Sequence, residues 1–180
     1  MAWTTPLTAV SNAALTAAQW NASVRDNLLE TAPAKASAAG RIFVSTGTNA
    51  ISERAVGSAS VSTSETTSST SPIALATSGP SVALTTGTRV IVILGAYMSN
   101  TNAAGTNSMA LEVSGATTIA AGDPALALHF RSSSANGEAQ ISYAFPLDVT
   151  AGTNTFTAKY SVNLGTGTFG RRRIIVLPFG

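Results

Sequence analysis

Residues 15–30, LTAAQWNASVRDNLLE, decide how the chain is organised, because they are its one clear helical segment. Thr16 and Gln19 have the spacing of a capping box, in which each side chain bonds the backbone N–H of the other residue. Leu15 before the cap and Trp20 at the fourth helical position have the spacing of a hydrophobic staple. The segment therefore predicts a helix that begins just after Thr16.

The predicted helix carries a narrow apolar stripe. Its members recur at helical spacing and are Trp20, Val24, Asn27 and Leu28. Pro33 disfavours helical geometry at the residue before it, so the helix should end near residue 30. A lone helix of about four turns is marginal in water, and we therefore expect it to dock on another surface.

The residues that precede the helix, MAWTTPLTAVSNAA, have neither helical nor strand periodicity. Trp3 predicts an arm that packs against a neighbouring chain, because a large aromatic side chain is seldom left in water. The alternative is that Trp3 covers the helix of its own chain. Arg25 and Asp26 could pair with a partner, although exposed ion pairs contribute only about 0–1 kcal/mol and a solvated face is favoured. The residues predicted to dock on a partner are Trp3, Leu15, Trp20, Val24, Arg25, Asp26 and Leu28.

The composition indicates a β-rich protein that buries apolar surface against other subunits. Charged residues make up 10% of the 180 residues, where about 25% is typical, and the mean hydropathy is +0.25. Apolar runs reach only strand length, so no membrane span is predicted. The net charge of +2 is weak evidence for nucleic acid, which is not expected as a partner. The lack of cysteine excludes disulfides and thiolate metal sites.

Strand patterns dominate from residue 72 onward. The run RVIVILGAYM, residues 89–98, is apolar on both faces and predicts a central strand buried between two layers. A later strand has one apolar face, made by Phe156, Ala158, Tyr160 and Val162. The turn that precedes it, residues 149–153, predicts a hairpin in which Gly152 takes a positive φ.

These patterns predict a mainly β protein: an N-terminal arm and a single α-helix, followed by an antiparallel β-sandwich or jelly-roll-like domain. About eight strands at ten-residue spacing favour that class, and no second helix is available for a parallel crossover. We predict three parts: an anchoring arm and helix at 1–35, a small hairpin with a Ser/Thr-rich connector at 36–71, and the sandwich at 72–180. Residues 57–71 could be either an edge strand with a loop or a flexible connector.

The N-terminal motifs resemble those of a family of structural proteins. W-T-T-P at residues 3–6, then L-T-A-A-Q-W-N-x-x-V-R-D-N-L-L at 15–29, is similar to the N-terminal segment of tailed-bacteriophage minor tail, tail-fibre-like or capsid decoration proteins. The usual form has Leu where Trp20 stands and often His near Ser23. Residues 31–57 are similar to the hairpin that often follows the helix. The resemblance covers about the first third of the chain and implies a virion component with other virion proteins as partners.

The sequence offers little catalytic chemistry. His129 is the one histidine, and it lies on the predicted strand ALALHFR, where residues 126, 128 and 130 share the opposite face. A surface or interface role is favoured over catalysis, because catalysis also needs an oriented partner group. The carboxylates are scattered singly, with no closely spaced pair for acid/base work. No zinc, phosphate-loop or nucleophile-elbow motif appears. We therefore expect neither enzymatic activity nor a cofactor.

Arg171, Arg172 and Arg173 form the one charge cluster. Strand alternation places Arg171 and Arg173 on the face of Phe169 and Ile175, with Arg172 opposite. The triplet could be a basic patch that meets a partner subunit or phosphate. It could instead be a charged strand end that discourages edge pairing, which is slightly favoured.

The resulting prediction is a non-enzymatic virion structural protein, anchored by its arm and helix and displaying the sandwich on the particle surface. A minor tail or fibre-like component is favoured, and a capsid decoration protein is the alternative. A homotrimer would bury the excess apolar surface, and assembly in the host cytoplasm is expected because no signal peptide is visible. A carbohydrate-binding module is a further alternative, with a host-surface glycan as ligand. Its aromatic platforms would come from Tyr97, Tyr143, Tyr160 and the two Trp residues.

Overall fold

The computed structural model describes residues 4–8 and 10–179, which divide into two compact units. Unit 1 comprises Met1–Ala55 with Phe179–Gly180, and unit 2 comprises Val56–Pro178. Trp3 lies outside the described residues. Residues 57–71, which the sequence predicted to be either an edge strand with a loop or a flexible connector, belong to unit 2.

Unit 1 contains the predicted helix with its capping box. The Gln19 N–H donates to Thr16 Oγ1 at 3.2 Å, and the Thr16 N–H donates to Gln19 Oε1 at 3.0 Å. The helix α1, Ala17–Trp20, continues as a π-helix over Asn21–Asp26. Its last backbone bond runs from the Thr31 N–H to the Leu28 carbonyl, so the predicted end near residue 30 is confirmed.

A second short helix and a hairpin complete unit 1. The sequence predicts a single helix, yet a second helix, α2, forms at Ala32–Lys35. Pro33 is compatible with it because the first turn of a helix does not use the missing N–H. The strands β1, Arg41–Gly47, and β2, Ala50–Ala55, pair antiparallel as predicted, with Asn49 at φ +55° in the turn.

The remaining strands of the described chain number nine and build the sandwich of unit 2. They are β3 Gly57–Val61, β4 Glu65–Thr67, β5 Ser81–Thr86, β6 Arg89–Asn100, β7 Thr106–Gly115, β8 Ala127–Arg131, β9 Gly137–Asp148, β10 Gly152–Val162 and β11 Gly167–Phe179. A 3₁₀ turn at Pro124–Leu126 precedes β8. Residues 57–71 therefore contribute two strands, β3 and β4, and both pair with β11.

The strand order is that of a jelly roll. Four antiparallel pairs are nested in sequence: β3 with β11, β5 with β10, β6 with β9, and β7 with β8. They form a four-stranded sheet, β5-β10-β7-β8, and a five-stranded sheet, β3-β11-β6-β9, with β4 added on β11. A strip of nested pairs rolled into two sheets is the jelly-roll arrangement, and the predicted fold class is confirmed.

Two details of the sandwich differ from the sequence-based expectation. Gly152 has the expected positive φ of 141°, but the turn joins β9 and β10 in different sheets and is therefore not a hairpin. The central strand β6 is not buried on both faces. Val92 and Leu94 are fully buried, whereas Ile91 and Ile93 are half-exposed on the outer face of the sheet, because the sandwich has only two layers.

The core lies between the two sheets as one apolar cluster. Its fully buried members include Leu94, Met109, Phe156, Phe169 and Ile174, which come from both sheets. Burial at this level stabilises by about 1.5–3 kcal/mol for each large side chain.

Buried asparagines hold the ends of the sandwich. Asn100 Nδ2 donates to Asn107 Oδ1 at 2.7 Å, and Asn107 Nδ2 donates to the Ser99 carbonyl at 2.8 Å. At another turn, Asn154 Nδ2 donates to Thr86 Oγ1 at 2.8 Å. These bonds satisfy polar groups that would otherwise be costly to bury.

Candidate functional site

The three consecutive arginines of β11 have two different environments. Arg172 is fully buried, while Arg171 and Arg173 are exposed. Arg171 has a left-handed backbone with φ +48°. This residue shifts the alternation of core-facing and outward-facing side chains along β11 by one position. Phe169 therefore faces the core together with Arg172, and the prediction that it shares a face with Arg171 and Arg173 is wrong. The triplet is not one continuous basic patch.

Arg172 is held in the core by an ion pair and backbone acceptors. Its Nη2 lies 2.9 Å from Glu65 Oε2 and also donates to the Thr63 carbonyl at 3.2 Å, while Nη1 donates to the Thr77 carbonyl at 3.1 Å. The guanidinium carbon lies 5.3 Å from the ring centroid of Tyr160, a cation–π distance. Arg172 is therefore a structural residue.

The ionisable neighbours of Arg172 respond to this environment. A hydrogen bond from the Thr77 hydroxyl lowers the pKa of Glu65, and Arg172 adds to that effect. Burial raises the pKa of Tyr160, whose hydroxyl donates to the Gly79 carbonyl at 2.8 Å. Because Tyr160 is fully buried, it cannot serve as the exposed aromatic platform that the carbohydrate-binding alternative required.

Arg171 and Arg173 border a depression on the outer face of the five-stranded sheet, here called the outer-face hollow. It has a volume of about 340 Å³. Its lining comes from β6, β9 and β11 and consists of Ile93, Gly95, Gln140, Ile141, Ser142, Arg171, Arg173 and Ile175. A second depression of about 380 Å³ shares Arg173 and Ile175 and is completed by Ser58, Ala59 and Ser60 of β3. The two depressions, together called the furrow, span four neighbouring strands.

Gly95 lines the outer-face hollow and has no side chain to fill it. It lies opposite Ser142 in the register of β6 and β9, between the half-exposed Ile93 and Tyr97. A Cβ atom at Gly95 would come no closer than 3.8 Å to the Ser142 side chain or the Ile141 carbonyl. Of the glycines that the structure describes in unit 2, Gly95 alone combines such room with a backbone that any residue could adopt. Sequence reasoning missed it, although a glycine within a run of β-branched residues was a signal.

The polar groups around the hollow are unevenly paired. Arg171 Nη1 donates to Gln140 Oε1 at 3.2 Å, whereas Arg173 makes no side-chain hydrogen bond or ion pair to any described residue. The hydroxyl of Tyr97 donates to the Glu138 carboxylate, and that bond raises the pKa of Tyr97. The hollow therefore has two exposed guanidinium groups beside one carboxylate that is already engaged.

His129 is exposed, as the sequence predicted. It lies opposite Ser108 in the register of β7 and β8, and its Nδ1 is 2.8 Å from Ser108 Oγ. Its Nε2 lies 3.2 Å from the Pro124 carbonyl. The contact is that of a cross-strand polar pair on an exposed face.

The predicted docking residues of unit 1 remain largely exposed. The exposed fractions are 50% for Leu15, 56% for Trp20 and 59% for Leu28, and Val24 is half-buried. Arg25 and Asp26 form a 2.7 Å ion pair with each other. Asn27, which belonged to the predicted stripe, is buried: its Oδ1 accepts from the Thr4 N–H at 2.9 Å. The arm is thus tied to the helix by polar contacts.

Among residues 4–8 and 10–179, no group of three His, Cys, Asp or Glu side chains could hold a metal ion. Within the same described part of the chain, no helix has the length and apolarity to cross a membrane.

The fold places this chain in the class of jelly-roll β-sandwiches. No family model and no curated protein matches the sequence. The chain is similar to the solved structure of Eiger TNF from S. frugiperda, with 12% identity, 77% of this chain and 93% of that chain covered, and a TM-score of 0.49. It is also similar to the carbohydrate-binding module CBM6cm-2 of Cellvibrio mixtus lichenase 5A, with 10% identity, 81% and 93% covered, and a TM-score of 0.33. A family 35 carbohydrate-binding module from an environmental isolate has 13% identity, 80% and 94% covered, and a TM-score of 0.32.

Proposed function

We propose that this chain is a non-enzymatic structural protein of a tailed-bacteriophage particle, anchored by unit 1 and displaying unit 2. The resemblance of residues 3–6 and 15–29 to virion proteins supports the setting. The contrast between the two units supports the division of roles.

The observation that carries the proposal is the poor core of unit 1. Of the buried apolar side chains among the described residues, Val44 is the one in unit 1, and all the others belong to unit 2. Unit 1 instead exposes large apolar side chains: Leu7, Val10, Leu15, Trp20, Leu28, Leu29 and Phe43. A segment that buries so little apolar surface needs a partner to be stable, and exposed clusters of apolar side chains mark interaction sites.

The position on the particle is proposed as a minor tail or fibre-like component, with a capsid decoration protein as the alternative. Both need an anchoring segment and a self-contained displayed domain. A homotrimer of this chain is part of the proposal, because three copies of unit 1 could cover one another's apolar side chains. Sedimentation of the free protein at micromolar concentration tests the trimer, and a stable monomer would contradict it.

The anchoring role can be tested in a phage that encodes this protein. The triple variant Trp20→Ser, Leu28→Ser, Leu29→Ser should abolish incorporation into particles, measured as copies per particle by quantitative immunoblot. The matched control is Leu164→Ser, which removes a leucine of similar exposure, 51%, from unit 2 and should leave incorporation unchanged. Normal incorporation of the triple variant would refute the anchoring role of unit 1.

The position on the particle needs a separate experiment. Gold-labelled antibodies against unit 2, applied to particles with the wild-type protein, would show whether it lies on the tail or on the head.

A further inference from the structure

We propose that the outer-face hollow and its neighbouring depression bind an acidic polysaccharide, with a sugar carboxylate held by Arg171 and Arg173. The inference goes beyond the structural role proposed above and does not depend on it, because the free protein can be tested for binding whichever particle carries it.

Charge is the first reason. Arg171 and Arg173 project from the same side of β11, and no carboxylate of the described chain pairs with either of them. The acidic groups on this face have other partners: Glu138 accepts from Tyr97, and Asp148 pairs with Arg89 at 2.7 Å. A guanidinium group presents parallel N–H donors that match a carboxylate, so two neighbouring ones attract an anionic ligand.

The unfilled space at Gly95 is the second reason. A glycine inside a central strand weakens the strand, and such a position commonly marks the close approach of a ligand. Neither steric crowding nor backbone geometry requires a glycine here, since a Cβ atom would have ordinary contacts at 3.8 Å. The glycine leaves open space on β6, between Arg171 and Arg173 of β11 and Gln140 and Ser142 of β9.

The shape and lining favour a saccharide chain over a protein partner. The depressions, about 340 and 380 Å³, are each near the lower end of the range for small-ligand sites, and they are adjacent across Arg173 and Ile175. A linear polymer with one unit in each depression would fit this furrow. The lining mixes aliphatic surface with hydroxyl and amide groups, which suits the apolar faces and hydroxyl groups of sugar rings.

The left-handed backbone of Arg171 also fits a binding role. A non-glycine residue with φ of +48° is uncommon, and backbone strain of this kind clusters at functional sites. By shifting the alternation, this residue allows Arg172 to enter the core while Arg171 and Arg173 both face outward. The same feature of β11 therefore serves the core and the hollow.

The experiment is calorimetric titration of the full chain with trigalacturonic acid, with galactotriose as the neutral control. Binding of the acidic trimer, and at least about tenfold weaker binding of the neutral one, is expected because charged hydrogen bonds contribute about 1.5–3 kcal/mol. Arg173→Gln should weaken binding by about tenfold or more on the same basis. The matched control Arg131→Gln removes an exposed arginine from the other sheet and should leave binding unchanged.

Gly95→Val provides a second variant that keeps both arginines. It should fill the hollow and abolish binding while thermal unfolding shows an intact fold. Equal affinity for the acidic and neutral trimers would overturn the proposal, as would unchanged binding by both Arg173→Gln and Gly95→Val. Binding of acetate alone with the same affinity would show a simple anion site and would also overturn it. Preference for poly-glutamate over trigalacturonic acid would assign the furrow to an acidic protein partner instead.

Discussion

Arg172 and Glu65 lie 107 positions apart in the sequence, yet they form a 2.9 Å ion pair that joins β11 to β4 inside the sandwich. The side chain of Arg172 is completely buried, and that of Glu65 is 15% exposed. Arg172 also donates to the carbonyl of Thr63, which precedes β4 in the sequence, and to that of Thr77, which follows it. These bonds fix where β4 lies along β11.

Replacing Arg172 tests whether the arginine triplet is functionally divided. Arg172→Met should lower the free energy of unfolding by about 3–5 kcal/mol, because it removes the cation that pairs with Glu65 Oε2 and leaves two backbone carbonyls without their donor. Arg173→Met, a change of the same chemistry at the next residue, should stay within about 0.5 kcal/mol since its side chain is exposed. Urea unfolding of the two variants checks this, and equal losses would refute the division.

Acid should destabilise the fold through Glu65. The pKa of Glu65 is lower in the folded chain than its ordinary value of 4.5, chiefly because the Thr77 hydroxyl donates to it. A lowered pKa means that the folded state binds the proton less tightly than the unfolded state. The stabilisation is therefore present above pH 4.5 and is lost as the pH falls through the folded-state pKa of Glu65. Unfolding free energies at several pH values should show a shallower acid dependence for Glu65→Gln than for the wild type.

The exposed pair Arg89–Asp148 provides the contrast for that measurement. Asp148 also has a lowered pKa because Arg89 donates to it, but both side chains are mostly exposed. The contribution of Asp148 to the acid dependence should weaken in about 0.5 M salt, which screens charges on the surface, while that of the less exposed Glu65 should change less. If salt removed the acid dependence of both residues equally, the ion pair of Glu65 would not be protected from solvent as described.

Gly95→Ala should make the protein more stable. Glycine in the interior of a strand is destabilising by roughly 0.5–1 kcal/mol relative to alanine, and the added Cβ has room here. Gly57 is the matched control, because a Cβ there would clash with the Val82 side chain, and Gly57→Ala should destabilise. Thermal unfolding of both variants checks the expectation, and a loss of stability in Gly95→Ala would show that the hollow is not free space.

Asn107 should be important for stability although it lies beside a loop. It is fully buried, accepts from Asn100 and donates to the Ser99 carbonyl. Asn107→Ala should reduce the free energy of unfolding by about 1–3 kcal/mol, the cost of leaving a buried polar group without a partner. Asn102→Ala, at an exposed position in the preceding loop, should cost less than about 1 kcal/mol. Chemical denaturation distinguishes the two.

Unit 2 should fold without unit 1. Every member of the core cluster lies between residues 56 and 178, so a fragment of residues 56–180 keeps the whole core. We expect a single cooperative unfolding transition for that fragment, measured by circular dichroism. Unit 1 alone, residues 1–55, should show no such transition because it buries so little apolar surface. A fragment of residues 56–180 without a cooperative transition would contradict the division.

Local patterns were sufficient for the elements whose contacts are close in sequence. The capping box at Thr16 and Gln19 and the hairpin around Asn49 are confirmed, since each depends on residues within a few positions of one another. The class of fold followed from alternation and strand spacing, because one buried face of a sheet imposes a period of two. The virion setting remains a prediction that rests on the N-terminal motifs.

The features that depend on residues far apart could not be read in this way. Alternation alone placed Phe169 with Arg171, and only the left-handed backbone at Arg171 reverses that arrangement. The turn at Gly152 has the same local chemistry whether it makes a hairpin or crosses between sheets, so the nesting of strand pairs decided it. Likewise, Gly95 became part of a hollow only when β6, β9 and β11 were brought side by side. The local elements, the periodicity and the fold class depend on neighbouring residues, and they could therefore be predicted from the order of residues in the chain. Which arginines are buried and which line the outer-face hollow depends on pairing between distant strands, so only the folded chain shows it.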